Sequence, residues 1–160
     1  MRLFLSIPIP NDWKQEFEKV LKDCADIKGI KKVEKENLHI TLLFIGECSE
    51  KRLETISEKI DESINASSNF SVFFDKIVFA PPNKKPAQMI WGALKTSKKY
   101  EKLREKIYKN LKEEIPRLQK PRTPAFPHIT LARVKKPEVL KYVNLKEFRP
   151  QKEELKVNEV

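Results

Sequence analysis

The chain contains only two histidines, and both open the same tetrapeptide, His-Ile-Thr-Leu, at 39–42 and 128–131. At ordinary residue usage, a given three-residue continuation recurs after a second histidine with odds on the order of one in several thousand. The surroundings repeat as well. A strand predicted over 2–8 leads through a helix to the strand that carries His39, and a strand over 88–95 leads through a helix to the strand that carries His128. Leu3 precedes His39 by 36 positions and Ile90 precedes His128 by 38. A length of 160 residues is that of one domain. The duplication therefore implies two similar lobes facing each other across a cleft, about 1–80 and 81–160, with strands free to exchange between them. Two copies are too few for a solenoid.

The remaining elements follow from apolar spacing and punctuation. Asn11 is placed to cap a helix over 11–25 that aligns Trp13, Phe17, Val20, Leu21 and Cys24 on one face. A short strand is expected near 30–33. Ser49 opens a second helix with Leu53, Ile56, Ile60 and Ile64 inward, and strands follow over 70–80 and 88–95. Ser97 caps a third helix over 97–115, striped by Leu103, Ile107, Leu111 and Ile115 and stopped by Pro116. A last strand is expected over 153–159. The prolines fall between these segments, as breaks.

The tetrapeptide dictates what each strand presents. Side chains alternate faces along a strand, so His39 and Thr41 share one face while Ile40 and Leu42 share the other. The apolar pair anchors the strand in a core and leaves an imidazole beside a hydroxyl on the opposite side. His128 and Thr130 repeat this arrangement. A single strand histidine is ordinarily a hydrogen-bonded core residue; the paired motif points instead to a pocket built from two imidazoles and two hydroxyls. Imidazoles titrate near neutrality, so one can accept a proton while the other donates one. Threonine hydroxyls donate to non-bridging phosphate oxygens and hold charge that develops on phosphorus. The pattern suggests transfer or hydrolysis at a phosphodiester, with no metal and no cofactor.

Other classes lack their signatures. With three glycines there is no G-x-G-x-x-G and no P-loop. No serine occupies a G-x-S-x-G elbow, and two histidines with two unrelated cysteines do not reproduce zinc-ligand spacing. No apolar run approaches the roughly 18 residues of a spanning helix. Residues 1–8 contain a proline and lack a cleavage site, so they read as a first strand rather than a leader. Cys24 and Cys48 form no framework and suggest a reducing, cytoplasmic setting with both thiols buried. Lys and Arg total 33 against 23 Asp and Glu, a net charge of +10. That surplus favours a nucleic-acid partner, or else a Lys/Glu-rich solvated surface.

The double H-x-T motif in a duplicated α+β chain resembles the two-histidine (2H) phosphoesterases, and among them the LigT-like RNA 2′,3′-cyclic phosphodiesterases, also called 2′-5′ RNA ligases. The likeness extends along nearly the whole chain: Arg2-Leu3-Phe4-Leu5-Ser6-Ile7, the stretch from Leu38 to Glu47, Trp91-Gly92-Ala93-Leu94, and Pro127-His128-Ile129-Thr130-Leu131-Ala132-Arg133. It implies two antiparallel-sheet lobes with flanking helices, related by a pseudo-twofold, with the active site between them. It also implies opening of RNA 2′,3′-cyclic phosphates to 2′-phosphates, with reversible 2′-5′ joining of tRNA halves as a related activity, in a monomer. By that assignment His39 gives a proton to the leaving 3′ oxygen, His128 takes one from the attacking water, and Thr41 and Thr130 hold the phosphate. Arg133 matches an arginine that meets the phosphate, although strict alternation places it on the face opposite His128, so the match requires a bulge or a strand end. The family commonly carries a basic residue where this chain has Leu43, and its members usually continue past the position of Val160.

Phe4 and Trp91 are candidates for stacking a base, against the alternative of core packing. Lys28, Lys31, Lys32, Lys35, Lys84 and Lys85 either track an RNA backbone or are solvated. The basic face of the third helix, from Lys98 through Arg104 to Lys109, reads as ordinary exposed surface. Two rival functions stand beside the phosphodiesterase: a non-catalytic module that binds RNA ends, and a 3′–5′ RNA exonuclease of the 2H type.

Overall fold

The computed structural model describes residues 1–25, 27–145, 151, 153–158 and 160, with the side chains of 23–25 outside the description. The strands are β1 (Arg2–Pro8), β2 (Ile30–Lys32), β3 (His39–Glu47), β4 (Phe70–Ala80), β5 (Met89–Lys95), β6 (His128–Val134) and β7 (Glu154–Val157). The helices are α1 (Asn11–Ala25), α2 (Leu53–Asn65) and α3 (Lys98–Leu111). The strands join in one sheet of order β1-β3-β6-β5-β4-β7, and β2 pairs with β6 outside that path. All pairings are antiparallel. The expected α+β class with antiparallel strands and flanking helices is what the chain adopts.

The two motif strands meet at the centre of the sheet. β3 and β6 are neighbours only where Ile40 stands opposite Ile129, and both isoleucines are fully buried. Each motif thus presses its apolar residue into one continuous core. Burying a side chain of this size is worth about 1.5–3 kcal/mol, so this pair fixes the relative position of the two strands. Beyond Ile129 the same edge of β6 is taken by β2, which pairs Ile30–Lys32 with Val134–Ala132. β4 precedes residue 81 yet pairs with β5 and β7, so it joins the second half of the sheet.

The helices pack their apolar stripes on the core. Trp13, Phe17 and Leu21 of α1 are buried, and Phe17 lies across Gly92, where a Cβ would come within 3.2 Å of its ring. Glycine at 92 lets α1 close onto β5. On α3, Ser97 Oγ accepts from the Tyr100 amide at 3.2 Å, as an N-cap should, and Tyr100, Leu103, Ile107 and Leu111 are buried. Asn110 of α3 donates to Ser63 of α2 at 2.8 Å.

Some expectations need adjustment. α3 ends at Leu111, four residues early, because the chain turns there so that Ile115 and Leu118 can enter the core. Ser49 precedes a short 3-10 turn over Glu50–Arg52 and makes no side-chain cap; Leu53, expected inward, is exposed at the start of α2. Cys48 is buried and free. The side chain of Cys24, residue 26 and residue 159 of the expected last strand lie outside the described residues.

Candidate active site

Antiparallel geometry around Ile40 and Ile129 decides what faces what. With those two opposed, His39 falls across from Thr130, and Thr41 across from His128. Opposed residues in an antiparallel pair share a face. The two histidines and two threonines therefore form a four-cornered patch, with the imidazoles on one diagonal and the hydroxyls on the other. Diagonal neighbours stand about 7–8 Å apart, enough to admit a phosphate between the rings. All four line one cavity of about 710 Å³, with Phe4, Trp91, Lys31 and Arg133 on its walls.

Each imidazole is oriented by its own backbone. His39 Nδ1 lies 2.7 Å from the carbonyl of Asn37, and His128 Nδ1 lies 2.9 Å from that of Phe126. A carbonyl only accepts, so Nδ1–H donates in both rings and Nε2 is left to act on a substrate. A backbone carbonyl two residues upstream leaves no trace in residue type, and the sequence offered no signal for this contact.

Aromatic rings from the adjoining strands cover both imidazoles. Phe4 of β1 stacks on His39 with centroids 5.0 Å apart; Trp91 of β5 stacks on His128 at 3.7 Å and 15°. Neither ring joins the core. Phe4 remains 49% exposed, whereas the Trp91 indole Nε1 is buried without a hydrogen-bond partner among the described residues. Burial pushes the His128 pKa below its ordinary 6.5; the Phe126 carbonyl opposes this, and the charge of His39 adds to the lowering. His128 is thus held neutral, the form a proton acceptor needs.

Both motif strands break their alternation at the same point. Between Ile90–Ala132 and Trp91–Thr130 the register skips Leu131, so Leu131 and Ala132 are both buried. Between Ser6–Thr41 and Leu5–Leu43 it skips Leu42, and Leu42 and Leu43 are both buried. An extra residue re-aims everything after it. Arg133 thereby returns to the face of His128, exposed and lining the cavity, opposite Met89 and opposite Lys31. Two cations placed directly across a strand pair repel; beside the hydroxyls and imidazoles they make a seat for an anion. The matching bulge at Leu42 sends Leu43 into the core, at 4% exposure, and aims Phe44 at the cavity, so Phe44 stands where Arg133 does in the other half.

The basic residues sort themselves. Lys31 and Lys32 line the cavity, while Lys28, Lys35, Lys84 and Lys85 do not. Tyr100 and Arg104 of α3, placed by sequence on a helix and its exposed face, reach the first motif instead. The Tyr100 hydroxyl donates to the Thr41 carbonyl at 3.3 Å, and Arg104 Nε donates to the Leu42 carbonyl at 2.8 Å. Burial raises the Tyr100 pKa to about 12, against the neighbouring Arg104 charge, so it stays a donor. Among the described residues no three His, Cys, Asp or Glu side chains gather as a metal site, and no helix is long and apolar enough to cross a membrane.

Comparison with known proteins bears on the same residues. Residues 7–91, which hold the first motif and Trp91, match the LigT-like phosphoesterases. An RNA 2′,3′-cyclic phosphodiesterase of Archaeoglobus fulgidus is 34% identical over 141 residues, 87% of this chain and 77% of that protein. One of Methanocaldococcus jannaschii is 37% identical over 139 residues, 84% of this chain and 72% of that protein. A crystal structure of a Thermus thermophilus protein superposes with a TM-score of 0.76 at 23% identity, covering 98% of this chain and 84% of that one. Paired motifs on adjacent strands, a shared fold and identity over most of the length agree: this chain belongs to the LigT-like phosphoesterase family.

Proposed function

We propose that this protein opens the 2′,3′-cyclic phosphate at the end of an RNA to a 2′-phosphate, without a metal. The observation that carries the reading is the four-cornered patch of His39, Thr41, His128 and Thr130 on one cavity wall, with Nδ1 of each imidazole held by a backbone carbonyl. The names of the related archaeal proteins support the same substrate.

The chemistry follows from the diagonal. A water beside His128 passes its proton to the neutral Nε2 as its oxygen attacks phosphorus. Charge builds on the non-bridging oxygens and is met by the hydroxyls of Thr41 and Thr130, with Arg133 and Lys31 supplying positive field from the rim. The P–O3′ bond breaks on the opposite side, where His39 in its imidazolium form protonates the departing 3′ oxygen. The products are a 2′-phosphate and a free 3′-hydroxyl, and exchange with solvent then takes the gained proton from His128 and returns one to His39. Phe4, with one face on His39 and half its surface open, is the ring placed to take the terminal base; Trp91 shields His128. The same site joins RNA when a 5′-hydroxyl replaces the water, and tRNA halves are the pair of ends it would meet. A monomer in the cytoplasm completes the reading.

The test uses RNA ending in a 2′,3′-cyclic phosphate. The wild-type protein should yield 2′-phosphate ends of unchanged chain length, in EDTA as without it. Shortened products would identify an exonuclease, binding without turnover would identify an RNA-end module, and loss of rate in EDTA would overturn the metal-free mechanism. A diester with a nitrophenol leaving group separates the two roles. It needs no acid, so His39→Ala should retain activity on it while His128→Ala should not.

A further inference from the structure

The two motif strands close their edges differently. The carbonyl of Leu131 on β6 accepts a backbone hydrogen bond from Val33, just beyond β2, at 2.8 Å. The equivalent carbonyl on β3, that of Leu42, accepts from the Arg104 side chain, which also donates to the Arg122 carbonyl at 3.3 Å. Where β6 is flanked by a strand, β3 borders a second cavity of about 640 Å³. Thr41, Phe44, Trp91 and His128 line both this cavity and the first, whereas His39 lines only the first. Phe126, Arg104, Lys120 and Arg122 line the second cavity but not the first. A third hollow of about 470 Å³ continues outward, sharing Arg104, Lys120 and Arg122 and adding Lys98 and Lys102. Its acidic side chains are engaged: Glu101 accepts from the Ala125 amide at 2.9 Å, and Glu105 pairs with Lys109 at 3.2 Å. Lys120 and Arg122 are exposed and carry no ion pair among the described residues.

We infer that this trough is the seat of a second RNA strand, whose 5′-hydroxyl takes the place of water beside His128. The inference rests on the roles proposed above. The leaving 3′ oxygen belongs to the ribose of the cyclic phosphate, so that ribose stands on the His39 side and the nucleophile arrives from the His128 side. A water needs neither a second cavity nor cations along its length; a phosphate backbone uses both, and Phe126 offers a ring to a base. The 5′ oxygen forms the new bond to phosphorus and its proton passes to His128. The P–O3′ bond breaks and His39 protonates the 3′ oxygen, leaving a 2′-5′ diester with no other reactant consumed.

The experiment mixes a cyclic-phosphate-ended oligonucleotide with a 5′-hydroxyl oligonucleotide and measures joined against hydrolysed product, for wild type and for Lys120→Ala/Arg122→Ala. With the second strand below saturation, the variant should lower that ratio about tenfold and flatten the salt dependence of joining by about 1.4 logarithmic units per tenfold salt, as expected for two lost single-strand contacts. Its hydrolysis of a nucleoside 2′,3′-cyclic phosphate should match wild type, which also shows that it folds. An unchanged ratio, or no joined product from wild type at millimolar second strand, overturns the inference. So does a higher KM for the cyclic-phosphate oligonucleotide with the ratio intact, which would give the trough to that strand. Wild type that fails to hydrolyse the nucleoside cyclic phosphate fails the proposed function itself, and this inference with it.

Discussion

His39 and His128 begin identical tetrapeptides, donate from Nδ1 to the carbonyl two residues back, and stand on adjacent strands of one sheet. Their surroundings differ. Trp91 lies flat on His128 at 3.7 Å, while the half-exposed Phe4 stands 5.0 Å from His39. Burial makes His128 the weaker base toward solvent protons and keeps it neutral. Past the bulge the contrast continues, because Arg133 is charged where Phe44 is not, and β2 flanks β6 where α3 braces β3. Duplicated sequence thus yields two unlike tools. An acid–base pair requires unlike partners, since one ring must begin the cycle with a proton and the other without.

The largest effect that can break this comparison comes from the rings themselves. His39→Ala and His128→Ala should each lower the turnover of a nucleoside 2′,3′-cyclic phosphate by about 10²–10⁴-fold, with thermal melting near wild type. Equal rescue of both variants by an activated leaving group would erase the distinction between them. Next come the hydroxyls. Thr41→Val and Thr130→Val should each cost on the order of 10²-fold in kcat with little change in KM, and Thr→Ser should restore most of it. A change in KM alone would make them binding groups that do not sense the transition state.

A subtler test reads pH. With His128 as the proton acceptor proposed above, activity requires its neutral form, and its lowered pKa means the rate should fall only as pH drops past a midpoint below 6.5. Trp91→Ala admits water to the ring and removes the main cause of the lowering. The acid midpoint of kcat/KM should then rise toward 6.5, moving the profile to higher pH. A midpoint that stays in place would remove Trp91 from the account of His128. The smallest expected effect is at the brace. Arg104→Met leaves the Leu42 carbonyl without its donor, which should cost about 1–3 kcal/mol of stability by denaturant unfolding and lower kcat a few-fold. No change in either would make the brace incidental.

Much of this was legible in the residues. The helices and strands fall close to where periodicity and punctuation put them, and Ser97 caps as its position indicates. The motif spacing predicted the shared face of each His–Thr pair, and the cavity gathers all four. Arg133 could not be placed from alternation, because a bulge is set by the register of the partner strand and Leu131 carries no mark of it. Leu43, where the family commonly carries a basic residue, is turned into the core by the matching bulge at Leu42. Arg104 was read by helical period as part of a solvated face, and Tyr100 was not singled out; both reach a strand some sixty residues earlier in the chain. The choice between base stacking and core packing for Phe4 and Trp91 omitted a third partner, the imidazoles themselves.

What the residues alone determined is the equipment: two imidazoles, each one strand position from a hydroxyl on its own face, with an isoleucine turned the other way. That much is local, since alternation along an extended chain depends on nothing beyond it. What only the tertiary structure decided is which ring is buried and which is open, and which cations return to their side. Those depend on strands and a helix brought from distant parts of the chain, because desolvation and Coulomb fields are set by whatever lies nearest in space.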